Sequence, residues 1–495
     1  MSNGDQKKKG VASAVKMSVI TLAIMNITAV VSLRGLPAEA EYGLSSIFYY
    51  VFAAIFFLIP VSFVAAELAT GWPEKGGVFR WVGEAFGPRC GFVAIFLLWI
   101  ESTIWFPTVL TFAAVSLAFI GPNQRWDQAL SANSLYTICI VLAVYWTATF
   151  VTLRGIKSAS KIAKWGGLIG TIIPGALLIL LGLYYFFQGR PLQIEMGWDK
   201  LIPDFTNFNN IVLAASIFLF YAGMEMNAVH VKDVDNPTRN YPIAMLIASV
   251  GTVAIFVLGT LAISFIIPKS QINLVQSLLV SYRDFLNVFG VGWLGPVVAL
   301  ALAFGVLGGV TVWVAGPSAG MAVVGRAGYL PPVFQKMNKN GIASRILIVQ
   351  GLIVTFLAVM FVILPSVQAA YQILSQLTVT LYLMMYLLMF AAAIYLRISQ
   401  PDTPRPYKVP GGKVGMWIFA GAGLAGSLLA FVLSFIPPSQ ISVGSPALYV
   451  AILIGGNIFF LSIPLVIFAI RKPGWKTQEG SMDFQPFIRD RKSLV

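Results

Sequence analysis

Runs of about 20 mostly apolar residues, the length a helix needs to cross a bilayer, recur twelve times along this chain. They fall at residues 17–38, 44–68, 91–120, 135–153, 165–187, 211–229, 243–267, 291–323, 346–364, 370–396, 414–436 and 447–470. None shows a sustained period of two, so the spans read as helices and not as strands of a barrel. The balance of residues agrees. A soluble domain carries about 25% charged residues, whereas here 11% of the 495 residues are charged and 58% are hydrophobic. The expectation is an all-α polytopic membrane protein with about twelve transmembrane helices. The first run is too long for a cleavable leader and has no small-residue cleavage site after it, so it is expected to be retained.

The formal charge of +14 is a topology signal, not a nucleic-acid footprint. Lys and Arg concentrate in cytoplasmic loops. With the amino terminus inside, only Arg125, Arg190, Lys200, Lys269 and Arg283 fall outside, and Arg34 falls within the first span. The other 27 of 33 basic residues then face the cytoplasm or its interface. Both termini are therefore expected in the cytoplasm, with no nucleic-acid partner. The Lys7–Lys9 run reads as a solvated, membrane-proximal segment. The connection at 188–210 is too short for more than a small cap, and the polar tail after Arg471 reads as flexible. Two cysteines in or beside different spans, Cys90 and Cys139, offer no redox framework. Together with a lone histidine, His230, they leave almost nothing from which to build a membrane-embedded enzyme. No cofactor and no metal is expected.

The first and sixth spans are interrupted. Val30, Val31, Ser32, Leu33, Arg34, Gly35, Leu36 and Pro37 place a charge, a glycine and a proline in mid-membrane sequence. Phe220, Tyr221, Ala222, Gly223, Met224, Glu225, Met226 and Asn227 do the same with a glycine, a charge and an amide. Five spans separate the two, an odd number, so the halves would have opposite topology. One such break reads as a simple kink. A matched pair in inverted repeats points to a transporter binding site, because unwound backbone is tolerated in hydrocarbon only where a polar solute or water satisfies it.

Further motifs carry a resemblance. Glu67-Leu68-Ala69-Thr70, followed by Pro73-Glu74-Lys75-Gly76-Gly77-Val78-Phe79-Arg80-Trp81-Val82, resembles the second-span signature of the amino acid–polyamine–organocation superfamily. So does Asn236-Pro237-Thr238-Arg239-Asn240-Tyr241-Pro242. Gly316-Pro317-Ser318 with Gly320-Met321, then Leu330-Pro331, Lys336-Met337-Asn338-Lys339-Asn340-Gly341 and Val409-Pro410-Gly411-Gly412-Lys413 resemble the bacterial glutamate/GABA antiporter family. The resemblance runs from about Met17 to Ile470. It implies a 5+5 inverted-repeat core with discontinuous helices 1 and 6 plus two extra helices. Segment boundaries follow: 1–16 an N-terminal cytoplasmic segment, 17–187 the first repeat, 188–396 the second with its external connection, 397–470 the last two helices and 471–495 a cytoplasmic tail. It also implies alternating access in a bacterial inner membrane, with exchange of one amino acid for another or for its decarboxylation product. Two departures stand out. The tail is short and has no histidine, and Arg34 stands where better-known exchangers carry an uncharged aromatic.

The partners expected are the bilayer and a small amino acid or amine; a monomer and a homodimer both stay open. Val30, Val31, Ser32, Arg34, Gly35, Glu101, Trp105, Tyr221, Gly223, Glu225, Trp313 and Tyr382 are the candidate substrate-binding residues. Glu67, Glu225 and Tyr386 are the candidate gate residues. Arg34 reads either as a clamp on a substrate carboxylate, which guanidinium holds bidentately, or as half of an ion pair with Glu101 or Glu225. Glu225 resembles the sixth-span glutamate that couples site to gate in the superfamily. Glu101 reads as a partner for an amino group, a proton carrier or the mate of Arg34. Glu67 reads as structural or as a gate residue. Tyr382 and Tyr386, at i and i+4, share a helix face and match tenth-span tyrosines of the antiporter family. His230 reads as a pH sensor or a solvated interface histidine. The fifth span has no lysine, the amine some relatives use in place of a sodium ion. Alternatives to exchange are a proton-coupled amino acid symporter, a polyamine exchanger and a transport-like sensor.

Overall fold

The computed structural model describes residues 18–73, 76–121, 123–203, 212–226, 234–439, 443–477 and 487. Ten helices among them are long and apolar enough to cross a membrane: Gly43–Gly71, Pro88–Ala118, Ser134–Leu153, Lys161–Phe187, Thr238–Ile266, Gly292–Tyr329, Ser344–Ile363, Val367–Ser399, Gly412–Ser434 and Pro446–Ala469. These are spans two to five and seven to twelve. The first and sixth are absent from that set because both are broken.

The first span begins as a helix at Val19–Val30, opened by Ser18 Oγ accepting the Thr21 N–H at 3.2 Å. The Val31 N–H closes it on the Ile27 carbonyl, and the backbone then runs extended through Val31 and Ser32. A single turn at Leu33–Gly35 restarts a short helix at Leu36–Ala40. Pro37 sits in its first turn, where a missing N–H costs nothing. The sixth span holds a helix at Ser216–Tyr221, is extended at Ala222, and turns at Gly223 with φ 113°. That region of φ is open to glycine and costly for other residues. Asn227, His230 and the rest of that span lie outside the described residues, as does the Lys7–Lys9 run.

Packing follows a mirrored scheme. The first span lies on the seventh and the sixth on the second; the fifth lies on the eighth and the tenth on the third. Replacing each member of one pair by the span five places away gives the other pair. Third with eighth and fourth with ninth then join the halves, and the last two spans pack outside, on spans two, three and ten. The protein is an all-α polytopic membrane protein of the 5+5 type. The crossing of spans five and eight brings backbone against backbone. A Cβ on Gly170 would meet Gly305 Cα at 2.2 Å, and one on Gly166 would meet Gly308 Cα at 2.8 Å. Small residues spaced in this way let membrane helices touch backbone to backbone.

The tail is not uniformly free. Gln335 Nε2 donates to the Trp475 carbonyl at 2.8 Å and the Thr477 N–H to the Arg326 carbonyl at 3.2 Å. Phe487 is 3% exposed, beside the Phe79 ring and under the Arg80 guanidinium at 5.0 Å. The expectation of a flexible tail is corrected at these points: an apolar ring in a polar segment finds the slot left by Gly83, whose absent side chain would collide with it at 2.6 Å.

Candidate functional site

Both breaks meet at the middle of the bundle. A Cβ on Gly35 would meet the Phe220 ring at 2.6 Å, so the two interrupted spans touch where each lacks bulk. A Cβ on Gly223 would lie 3.7 Å from Trp313 and 4.0 Å from Val30. Trp313 and Trp105 form an aromatic pair with ring centroids 5.6 Å apart. Val30, Gly35, Trp105, Gly223 and Trp313 are thus brought together. Val31 and Ser32 form the extended link, both part-exposed.

Arg34 is 4% exposed. Its guanidinium donates through Nη1 to Tyr371 Oη at 3.1 Å and Thr108 Oγ1 at 3.5 Å, and lies 5.3 Å from the Trp105 ring centroid and 5.5 Å from that of Phe220. Nε is buried with no partner. The ion pair expected with Glu101 or Glu225 is not formed; both contacts that replace it are to neutral oxygens. Glu225 is engaged elsewhere: its two carboxylate oxygens accept Tyr382 Oη at 2.6 Å and Tyr386 Oη at 2.5 Å. Tyr386 Oη also accepts the Gly223 N–H at 3.0 Å, so the tenth span holds the sixth-span break from the side. The two tyrosine rings stack with centroids 4.7 Å apart, as their spacing predicts. Glu101 is 2% exposed and its Oε1 has no partner. It stands near enough to Glu225 for the two to repel when both are charged.

Tyr221 faces away from Arg34. Its hydroxyl donates to the Tyr50 carbonyl at 3.2 Å and its ring packs on Tyr50 and Phe256, in spans two and seven. Phe220, one residue earlier, provides the cover over Arg34. Nothing in the sequence reading marks Thr108 or Tyr371, and it marks Phe220 only as part of the sixth-span break. Tyr371 had a signal, since 371, 375, 378, 382 and 386 form one helical stripe. Ser375 on that stripe has a buried, unpartnered hydroxyl.

Glu67 belongs to a separate cluster. Its Oε1 accepts Arg397 Nη1 at 2.5 Å and lies 3.5 Å from Arg405 Nε, and its Oε2 accepts the Val409 N–H at 2.6 Å. It ties the end of the second span to the segment joining the tenth and eleventh. Cys90 and Cys139 are unpaired, and no group of three or more metal-ligating side chains occurs among the described residues.

Comparison with known proteins decides the class. The chain matches the amino acid permease family over residues 17–457. This protein belongs to the amino acid permease family. The permease is 40% identical over 449 residues to an uncharacterised transporter of Legionella pneumophila, covering 90% of this chain and 95% of the relative. It is 31% identical over 476 residues to a glutamate/gamma-aminobutyrate antiporter of Lactococcus lactis, covering 95% and 94%. A probable agmatine/putrescine antiporter of the same species is 24% identical over 448 residues, covering 90% and 93%. The permease is a multi-pass membrane transporter and not an enzyme.

Proposed function

We propose that this permease exchanges amino acids by alternating access, with glutamate for GABA as the leading pair, and that the substrate sits between the two helix breaks. One observation carries the reading: Arg34 is buried in the membrane without a counter-charge, and Glu101 is buried nearby without a partner. A buried ion is costly unless it is paired. GABA supplies the two missing charges, a carboxylate for Arg34 and an ammonium for Glu101. Glutamate brings a second carboxylate, for which the broken helix ends offer backbone N–H groups. Trp105, Trp313 and Phe220 would close over the bound solute, and Tyr382 and Tyr386 would transmit its arrival through Glu225. The gate role of Glu67 is to hold spans two and ten together on one side. Solute gradients supply the free energy. A polyamine is disfavoured by Arg34, which would repel its cationic ends.

The working orientation puts both termini in the cytoplasm of a bacterial inner membrane, with residues 17–187 and 188–396 as the two repeats. The test is counterflow in proteoliposomes, with labelled glutamate or GABA outside and either solute or buffer inside. Uptake should rise strongly with internal solute. Equal uptake into empty vesicles under a pH gradient would establish proton symport instead.

A further inference from the structure

Another buried acid lies beyond the break, at the far end of the short helix Leu36–Ala40. Glu39 has no exposed surface. Its Oε1 accepts Ser216 Oγ at 2.7 Å, and Ser216 opens the sixth-span helix Ser216–Tyr221. Its Oε2 is buried with no partner at all. The carboxyl therefore bridges the outer pieces of both interrupted spans through one oxygen and leaves the other empty.

Among the described residues the surroundings hold no countercharge. Tyr42, Tyr49, Tyr50 and Tyr221 are close enough to feel the charge of Glu39. None of their assigned bonds goes to Glu39: Tyr42 Oη accepts the Ala214 N–H, Tyr50 Oη bonds Thr260 Oγ1 and Tyr221 Oη donates to the Tyr50 carbonyl. On the same segment, Glu41 is taken by Lys269 at 3.7 Å and Arg34 by Tyr371 and Thr108. The seventh span brings Thr260 and Ser264, and its one cation, Arg239, lies at the opposite end. The helix Ser277–Val288 brings Tyr282, which donates to the Pro174 carbonyl, Arg283, which is paired with Asp127, and the acid Asp284. No cation among the described residues comes within 4.0 Å of Glu39.

We infer that Glu39 is a proton-binding site of the transport cycle, loaded in the conformation seen here and emptied when the two outer half-helices part. A carboxylate shut off from bulk solvent and without a counter-ion takes up a proton rather than stay charged. The neutral acid keeps Oε1 as acceptor for Ser216 and needs no partner for charge on Oε2. When Leu36–Ala40 separates from Ser216–Tyr221, the Ser216 bond breaks, water reaches the carboxyl and the O–H proton passes to it. Opening is thereby linked to proton release, and acid favours the closed arrangement. The same step gives a solute exchanger a way to sense or carry a proton. That last consequence rests on the exchange reading above; the proton site itself does not.

The test keeps the two apart. Infrared titration of the full-length protein in liposomes, without substrate, reads the protonated-carboxyl C=O band. The wild type should show a band that disappears in Glu39→Gln and titrates above the ordinary glutamate range. Ser216→Ala, which keeps the acid and removes its donor, should move that band. If the only change due to Glu39→Gln is the loss of a carboxylate titrating as an exposed glutamate does, the proposal is overturned. Should Glu39→Gln not fold, Glu39→Asp decides by the same readout, with a shifted band expected and an unshifted spectrum overturning it. A second arm follows labelled glutamate counterflow against pH, where Glu39→Gln should flatten the profile at least threefold. An unchanged profile with an intact infrared band leaves a proton site that the exchange does not use, which overturns its place in the cycle.

Discussion

At the ends of the second and tenth spans, buried charge is matched. Glu67 has Arg397, Arg405 and a backbone N–H, and Arg80 has Glu84 at 3.1 Å, which also accepts Gln400 Nε2 at 2.9 Å. At the centre of the bundle the same residue types stand apart. Arg34 touches only neutral oxygens and aromatic faces, Glu225 is held by two tyrosines, and Glu101 has an oxygen with no partner. A matched cluster fixes geometry and leaves nothing for a solute to add. An unmatched one has room for a solute to complete it. On the exchange reading proposed above, the contrast separates charge that holds the fold from charge that reads a substrate, and neither burial nor residue type alone could do so.

The contrast can be broken. Arg397→Ala leaves Glu67 with only Arg405 at 3.5 Å and the Val409 N–H in a desolvated place, and should cost up to about 3–5 kcal/mol, read as thermal unfolding of the solubilised protein. A loss within error would mean the matched cluster is ornamental. Arg34→Gln should do the opposite: little change in thermal stability, and exchange reduced more than about tenfold, or about 1.4 kcal/mol. Arg34→Lys should weaken solute affinity, because an ammonium lacks the planar fork. If Arg34→Gln instead unfolds the protein as Arg397→Ala does, the centre is structural and the site lies elsewhere.

A smaller effect is expected at Gly35, whose added Cβ would meet Phe220 at 2.6 Å. Gly35→Ala should slow exchange about fivefold, near 1 kcal/mol, and Phe220→Leu in the same chain should recover it. Failure of that rescue would show that the two breaks do not close on each other. The smallest effect lies outside the membrane. Asp284, half-buried on the helix Ser277–Val288, has its pKa lifted by burial from 3.8 to about 6 despite Arg283 beside it. The folded state then holds that proton more tightly than the unfolded chain. Its contribution is present below about pH 4 and is lost as pH rises through about 6. Asp284→Asn should therefore raise stability above pH 6 and leave it unchanged near pH 4; a gain at both would remove titration as the cause.

Much of this was legible in the residues. Arg34, Gly35 and Pro37 in one apolar run, and Gly223 with Glu225 in another, announce the breaks, because charge and helix-breaking residues are rare in mid-membrane. The spacing of Tyr382 and Tyr386 announces their shared face. What stayed hidden depends on distance along the chain. Arg397 meets Glu67 across 330 positions and Arg34 meets Tyr371 across 337, and no local pattern marks either pair. Phe220 is one of 36 phenylalanines, each equally suited to face lipid. Glu39 follows directly on the apolar run 17–38, a place where an acid is ordinarily wet; only the fold shows it buried.

The glycine contact between spans five and eight carries a mechanical consequence. With Gly170 against Gly305 and Gly166 against Gly308, there is no side chain there to act as a bearing, and two backbones pressed together cannot slide like greased rods. These spans are in effect a welded beam, and in the alternating-access cycle proposed above the rocking would pivot around them. A methyl group on any of the four glycines would act as a wedge in that joint, jamming transport from a position no solute ever visits.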